Sequence, residues 1–386
     1  MKIGIDARFA VHNRRGIGNY TLKLVQYLAA IDKETEYILY IDIDDSENIL
    51  PKQDNFRVVK MSPSNYLIWE QIILPIRAQK DKLDILHCTG NTAPIWFGKN
   101  NRLLITIHDV MYLKSYSLLP QSLSMYQRWG RIYRKTIVPL AVRHASGVIT
   151  VSGFSKNDIL ASLPKINEEL ILVTYEAAGE RFGKTYPSSK SNPIAEKLGI
   201  RGDYIFTLGA LDPRKNTKMV MDVFLALKTN QNIGENLVIA GIPRWRTSAF
   251  YQELQKSPFR NSVLFTDFVT EEELFGLYRG AKIFLYPSLY EGFGIPPLEA
   301  MASGAPVITS NVTSIPEIVG DAALLINPAS NGELAAAMLS LLNNEGLRTS
   351  FIEKGFERAK QFSWLKMAKE TLSIYESVYK HAKPAA

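Results

Sequence analysis

Two glutamates eight residues apart, Glu291 and Glu299, bracket a Gly-Phe-Gly and a pair of prolines in Tyr290-Glu-Gly-Phe-Gly-Ile-Pro-Pro-Leu-Glu299. Carboxylates accept hydrogen bonds, so such a pair suits the vicinal hydroxyls of a ribose or hexose. Gly292 and Gly294 let backbone come close to a ligand. Prolines fit a first helical turn, where a missing N–H loses no partner. The stretch therefore predicts a loop carrying Glu291 that enters a helix with Glu299 in its first turn. The start of that helix would offer N–H groups and a positive dipole end to a diphosphate around Phe293, Gly294 and Ile295. Upstream, Leu208-Gly-Ala-Leu-Asp-Pro-Arg-Lys-Asn216 sets Arg214 and Lys215 side by side, two fixed positive charges suited to a departing phosphate. In the other half, Thr106-Ile-His-Asp-Val110 puts His108 just past an apolar run. Arg14-Arg-Gly-Ile-Gly-Asn-Tyr-Thr21 puts Gly16 and Gly18 where a strand passes into a helix, without the third glycine of a dinucleotide fingerprint. Each piece has a plainer use, since glutamates near helix starts answer the dipole and a lone histidine is often packing.

Strand ends and helix starts must hold these residues. Short apolar runs alternate with helical periodicity along the whole chain, the pattern of parallel sheets covered on both faces. Strands are expected at Lys2–Asp6, Tyr37–Ile41, Ile85–Cys88, Leu103–Ile107 and Gly147–Val151. A second series falls at Tyr204–Gly209, Leu237–Gly241, Val263–Phe265, Ile283–Tyr286, Pro306–Thr309 and Ala323–Ile326. Helices are expected at Gly18–Ala30, Ser122–His144 (interrupted or kinked near Pro139), Asn216–Leu227, Glu271–Tyr278, Pro297–Ala302, Glu333–Asn343 and Ser363–Lys380. The polar stretch from Gly183 to Pro193 reads as a linker. The expected division is 1–187, 188–362 and a C-terminal helix and tail over 363–386. Two doubly wound domains bind ligands beyond the carboxyl ends of their strands.

A chain of 386 residues exceeds what one core comfortably serves. No apolar run reaches the length of a membrane span, and Asp6 and Arg8 interrupt any signal-peptide core. The single Cys88 suits a reducing cytoplasm. The net charge of +7 is uneven: the first 187 residues carry 24 basic against 18 acidic side chains, the remainder 21 against 20. Between Asp109 and Asp158 there is no acid, while Arg128, Arg131, Arg134 and Lys135 gather on one broad helical face beside Trp129, Ile132 and Tyr133. Such a surface suits anionic lipid or a phosphorylated acceptor, or else a solvated helix. No nucleic-acid-binding pattern is present.

Taken in order, Gly16-Ile-Gly18, Ile107-His-Asp109, Val151-Ser-Gly-Phe-Ser-Lys-Asn157, Gly209 to Asn216 and Glu291 to Glu299 resemble the family-four retaining glycosyltransferases of GT-B fold. The resemblance covers nearly the whole chain. It implies two facing Rossmann-like domains, with the C-terminal helix returning to the first. It implies retaining transfer of a hexose from a nucleoside-diphosphate sugar to a saccharide or lipid-linked acceptor in cell-surface polysaccharide synthesis. No metal or other cofactor is implied. By the same resemblance Arg214 and Lys215 neutralise the diphosphate, Glu291 binds hexose hydroxyls, Glu299 holds the ribose diol and His108 touches the transferred sugar. Gly16, Gly18, Gly209, Phe268, Val269, Phe293, Gly294 and Ile295 line the donor, and Arg244 stands where relatives often have a lysine. Val151-Ser-Gly153 departs from the commoner Ser-Glu. The loops look most like mannosyltransferases, which favours GDP-mannose; UDP-glucose and, more distantly, a nucleotide-sugar epimerase or a silent binding subunit remain alternatives. The expected location is cytoplasmic, peripheral on the inner face of the plasma membrane.

Overall fold

The structure is a computed structural model that describes residues 1–12, 16–98, 102–115, 125–182 and 193–380. The described chain gathers into two compact units. The first holds the described residues up to Lys114, then 125–176, and re-forms from Ser363 onward; the second runs from Ala177 to Phe362.

In the first unit seven parallel strands are ordered β3-β2-β1-β4-β5-β6-β7. They are β1 Lys2–Asp6, β2 Glu36–Ile41, β3 Phe56–Lys60, β4 Ile85–Cys88, β5 Arg102–Thr106, β6 Gly147–Thr150 and β7 Ile171–Val173. Sequence reading missed β3 and β7. β3 is an edge strand whose Arg57, Val58 and Lys60 face water, so its apolar pattern is diluted. β7 has only three residues. In the second unit six parallel strands are ordered β10-β9-β8-β11-β12-β13. These are β8 Tyr204–Leu208, β9 Asn236–Ala240, β10 Val263–Phe265, β11 Ile283–Tyr286, β12 Val307–Ser310 and β13 Leu324–Ile326. Both sheets are buried on two faces, hence the unbroken apolar runs of the central strands.

The order reverses direction between β1 and β4 in one sheet and between β8 and β11 in the other. These switch points leave a crevice at the strand carboxyl ends, because the flanking connections depart to opposite faces. In the first unit, helix α1 (Gly16–Ile31) follows β1. Tyr66–Ile68, a π turn Trp69–Ile73 and Leu74–Lys80 run on as one interrupted helix, α2. Helix α3 (Met125–Val142) continues through Pro139 to Val142. Helix α4 spans Gly153–Ser162. In the second unit, α5 (Thr217–Gln231) follows β8, α6 (Glu271–Gly280) follows β10, and α7 (Ile295–Ala302) follows β11. Helix α8 (Glu345–Ala359) packs on α7. Helix α9 (Trp364–Lys380) packs on α1 of the first unit. The expected linker lies outside the described residues apart from Pro193, which opens a short helix.

Candidate active site

In the second unit, the loops leaving the two switch-point strands meet. After β8 the chain makes a single 3-10 turn at Pro213–Lys215, capped by the Asp212 side chain accepting from the Arg214 N–H. Asn216 then reverses the backbone in the left-handed region (φ 57°), and its side-chain amide donates to Pro287 O at 3.1 Å and Pro328 O at 2.7 Å. Leu289 N–H donates to Arg214 O at 2.8 Å, which ties this turn to the β11 loop. Arg214, Lys215 and Glu291 come together as a result. Glu291 Oε1 accepts from Lys215 Nζ at 2.7 Å, Tyr286 OH at 2.9 Å and Ser288 Oγ at 2.6 Å, with an Arg214 guanidinium nitrogen 3.0 Å away. Lys215 also donates to the Tyr286 hydroxyl. Among the described residues all these contacts converge on Oε1, and none reaches Oε2.

Burial alone would push the Glu291 carboxyl up, but the charges of Lys215 and Arg214 and the donated hydrogen bonds outweigh it and hold it down to about 2. Burial lowers the Lys215 ammonium despite its partner. The cluster is a charge-dense cup with one saturated carboxylate oxygen and one unused.

Glu299 lies in the second turn of α7, not the first, because the helix begins at Ile295 rather than Pro297. Pro296 and Pro297 carry no N–H, so the free donors of this helix start come down to Gly294 and Ile295. Glu299 accepts from Tyr278 OH at 3.2 Å and makes no ion pair among the described residues. Burial without a cation raises its carboxyl to about 8. Gly294 has φ 116°, and a side chain there would strike Ile315 Cδ1 at 2.7 Å, so only glycine fits. Ser314 Oγ donates to Phe293 O at 2.7 Å and Glu291 O at 3.0 Å, fixing the loop from behind. The Phe293 ring is buried edge-on to Phe362. Gly209 has no room for a side chain against Ile239 and Ile242, which is a packing reason for glycine. Arg244 is exposed in the left-handed region (φ 53°), its N–H donating to Asp267 Oδ1 at 3.1 Å. Gly241 N–H donates to Asp267 O at 3.1 Å, so the Arg244 loop is tied to the loop of exposed Phe268 and half-buried Val269.

In the first unit, His108 lies beyond β5, 7% exposed. Its N–H donates to Asn91 Oδ1 at 2.7 Å, and its carbonyl accepts from Ser155 Oγ at 3.0 Å. The ring stands edge-on to Tyr20 of α1, centroids 4.7 Å apart. Nε2 faces Thr89 O at 3.0 Å, a pure acceptor, so it carries a proton. Nδ1 lies 3.3 Å from Glu176 Oε1, which orients the ring from its other edge. Sequence reading missed Glu176, and its local motif carries no signal for it. Gly16 is already helical and opens α1 rather than lying in a loop; Gly18, two residues on, is buried. Arg14 and Arg15 lie outside the described residues.

Of the basic face on α3, Arg128 and Lys135 are exposed. Arg131 turns inward and donates to Tyr112 O at 3.0 Å and to Lys114 O, and Arg134 sits 5.7 Å from the Tyr112 ring centre. An Asp-x-Asp pair beyond β2 also escaped sequence reading. Asp42 is 2.8 Å from His12 Nε2 and Asp44 is 2.6 Å from Lys60 Nζ.

Both halves match described families: residues 14–175 the Glycosyltransferase Family 4, residues 191–358 the Glycosyl transferases group 1. The chain is 28% identical over 377 residues to the O-antigen chain mannosyltransferase B of Escherichia coli, covering 94% of this chain and 96% of that one. Among solved structures, sucrose-phosphate synthase from Thermosynechococcus elongatus superposes with a TM-score of 0.76 at 18% identity, covering 99% of this chain and all of that one. Anabaena HepE in complex with UDP and glucose gives 0.71 at 19% identity, over 98% and 100%. The paired parallel sheets and the two family matches, which between them take in most of the sequence, identify the chain as a GT-B glycosyltransferase of the group 1 and family 4 type.

Proposed function

We propose that the enzyme transfers a hexose, with retention of configuration and without a metal, from a nucleoside-diphosphate sugar to a saccharide or lipid-linked saccharide in cell-surface polysaccharide synthesis. GDP-mannose is the favoured donor, supported by likeness to an O-antigen chain mannosyltransferase along 94% of the chain. The observation that carries the chemistry is the Arg214–Lys215–Glu291 cluster. Two cations already fixed at a strand end stabilise the charge that grows on a departing diphosphate without reorganising. The unused Oε2 of Glu291 is left to accept hexose hydroxyls. Glu299 offers a carboxyl to the ribose diol, and Gly294 and Ile295 offer their amides to phosphate. His108, held by Thr89 and Glu176, contacts the transferred sugar. The leaving phosphate takes the acceptor proton, so no protein base is assigned.

The reading is tested by the anomeric configuration of the product formed from GDP-α-mannose, together with the kinetics of Lys215→Ala. An α-mannoside is expected. Turnover of the variant should fall about 10²–10³-fold, as on loss of one preorganised donor, with donor binding nearly kept. A β-product, or equal losses in binding and turnover, would count against it.

A further inference from the structure

The sequence sets a basic face with Trp129 and Ile132 on α3; the structure adds exposed apolar side chains from two neighbouring segments. On α2, Ile68, Ile72 and Ile76 recur every four residues and stand in water, with Leu67 beside them. The π turn, inserted at Trp69–Ile73, shifts the helix by about one residue, about 100°, within this row. On α3, Met125, Trp129 and Ile132 fall on one exposed face, Trp129 being 66% exposed. Between β4 and β5, Trp96 is 62% exposed, next to exposed Ile95.

These rows belong together. Tyr133 of α3 donates to Glu70 Oε1 at 2.7 Å and packs edge-on against Tyr66, joining α3 to α2. Ile95 N–H donates to Gln71 Oε1 at 3.0 Å, joining the Trp96 segment to α2. Trp69, Leu74 and Ala78 of α2 and Val138, Ala141 and Val142 of α3 enter one core cluster, so both helices lie on one face of the sheet and their outer rows look the same way.

An apolar area of this extent marks a partner. The charges around it say which kind. Segments 89–108 and 110–157 contain no acidic residue, and the only one in 61–80 is Glu70. Glu70 is buried and bonded to Thr92 and Tyr133. The exposed ions on α2 and α3 are Lys80, Arg128 and Lys135. Aliphatic side chains with two tryptophans, set among cations without exposed acids, match the interface of a bilayer that carries anionic headgroups.

We propose that this platform of α2, α3 and the Trp96 loop inserts into the headgroup–acyl boundary of an anionic membrane, with apolar contact supplying most of the affinity. The proposal deepens the lipid-linked part of the reading above, yet rests on none of the donor chemistry and fails separately from it.

The test is co-sedimentation of the full chain with phosphatidylglycerol–phosphatidylethanolamine vesicles and with phosphatidylcholine vesicles, and quenching of tryptophan emission by bromolipid. Wild type should bind both, the anionic vesicles more tightly. Ile72→Asp with Ile76→Asp should weaken both at least tenfold. Arg128→Ala with Lys135→Ala should weaken only the anionic binding. Arg131→Ala should change neither, because that side chain is spent on Tyr112 and Lys114 carbonyls. Quenching should largely vanish in Trp96→Phe with Trp129→Phe, since Trp69 and Trp364 are buried and half-buried Trp245 belongs to the second unit. Each variant is checked for an unchanged melting temperature and far-ultraviolet dichroism; if the aspartates disturb folding, Ile72→Ser with Ile76→Ser replaces them. No vesicle binding by wild type, binding that ignores the isoleucine variants, or a wild-type dimer that those variants dissociate would overturn the proposal.

Discussion

Glu299 and Glu291 sit eight residues apart in one motif, yet their surroundings drive them in opposite directions. Glu291 has two cations and stays ionised; among the described residues Glu299 has only a tyrosine hydroxyl, and burial raises it to about 8. Below pH 4.5 Glu299 is protonated whether folded or not. Between 4.5 and 8 the unfolded chain releases that proton while the fold keeps it, so stability falls as pH rises through this window and levels off above it. Glu299→Gln has no proton to lose. Its melting temperature should gain on wild type from pH 5 to 8 and then run parallel; a constant gap would show that the carboxyl is not raised. His108 makes a second prediction at this scale. Glu176→Gln should cut turnover about 10–100-fold, as when a partner orienting a functional histidine is lost. The donor KM should hold, and the ring ¹⁵N signals of His108 should shift. Unmoved signals would mean that Glu176 does not orient the ring. Arg214, Lys215 and Glu291 were legible because two short motifs carry them. Glu176 was not, since only the third dimension brings it to His108, across 68 positions of sequence.

At the scale of elements, the long alternating strands and the strand-to-helix loops could be read directly, because apolar runs and prolines mark them locally. The elements that stayed hidden had a physical cause in each instance. β3 lies half in water, β7 is three residues long, and α2 changes register at its π turn. Helix α9 was visible as an amphipathic tail, but what fixes it was not. Tyr375 OH lies 2.7 Å from His87 Nδ1, and His87 Nε2 lies 2.7 Å from Thr106 Oγ1 on β5. Burial, aided by the nearby His108, drives the His87 ring down to about 3, so it stays neutral in this contact. Tyr375→Phe removes one partner from a fully buried ring nitrogen. It should cost about 1–3 kcal/mol in urea unfolding at pH 7, the penalty for an unsatisfied buried polar group. A cost near zero would mean that α9 is held by apolar packing alone.

For the molecule as a whole, the two sheets each offer a switch point, and the motifs of the sequence fall on both. Likeness to solved structures over nearly the full length, at under 20% identity, shows that the architecture is shared where most side chains differ. Nucleotide choice is the quantity this architecture conceals, since the amides proposed to meet the donor, those of Gly294 and Ile295, belong to the backbone and carry no side-chain signature. It is also the quantity that a bulk measurement of stability reveals. A ligand held at about 100 times its dissociation constant stabilises its fold by about 2.7 kcal/mol. The most direct test is therefore a thermal-shift series with GDP, UDP, ADP and CDP, each with Mg²⁺ and with a chelator. The account predicts a shift with GDP that the chelator leaves unchanged and that Lys215→Ala largely retains. A shift confined to UDP would contradict the mannosyl donor, a shift abolished by the chelator would contradict metal-free binding, and silence from all four would contradict the assigned pocket itself.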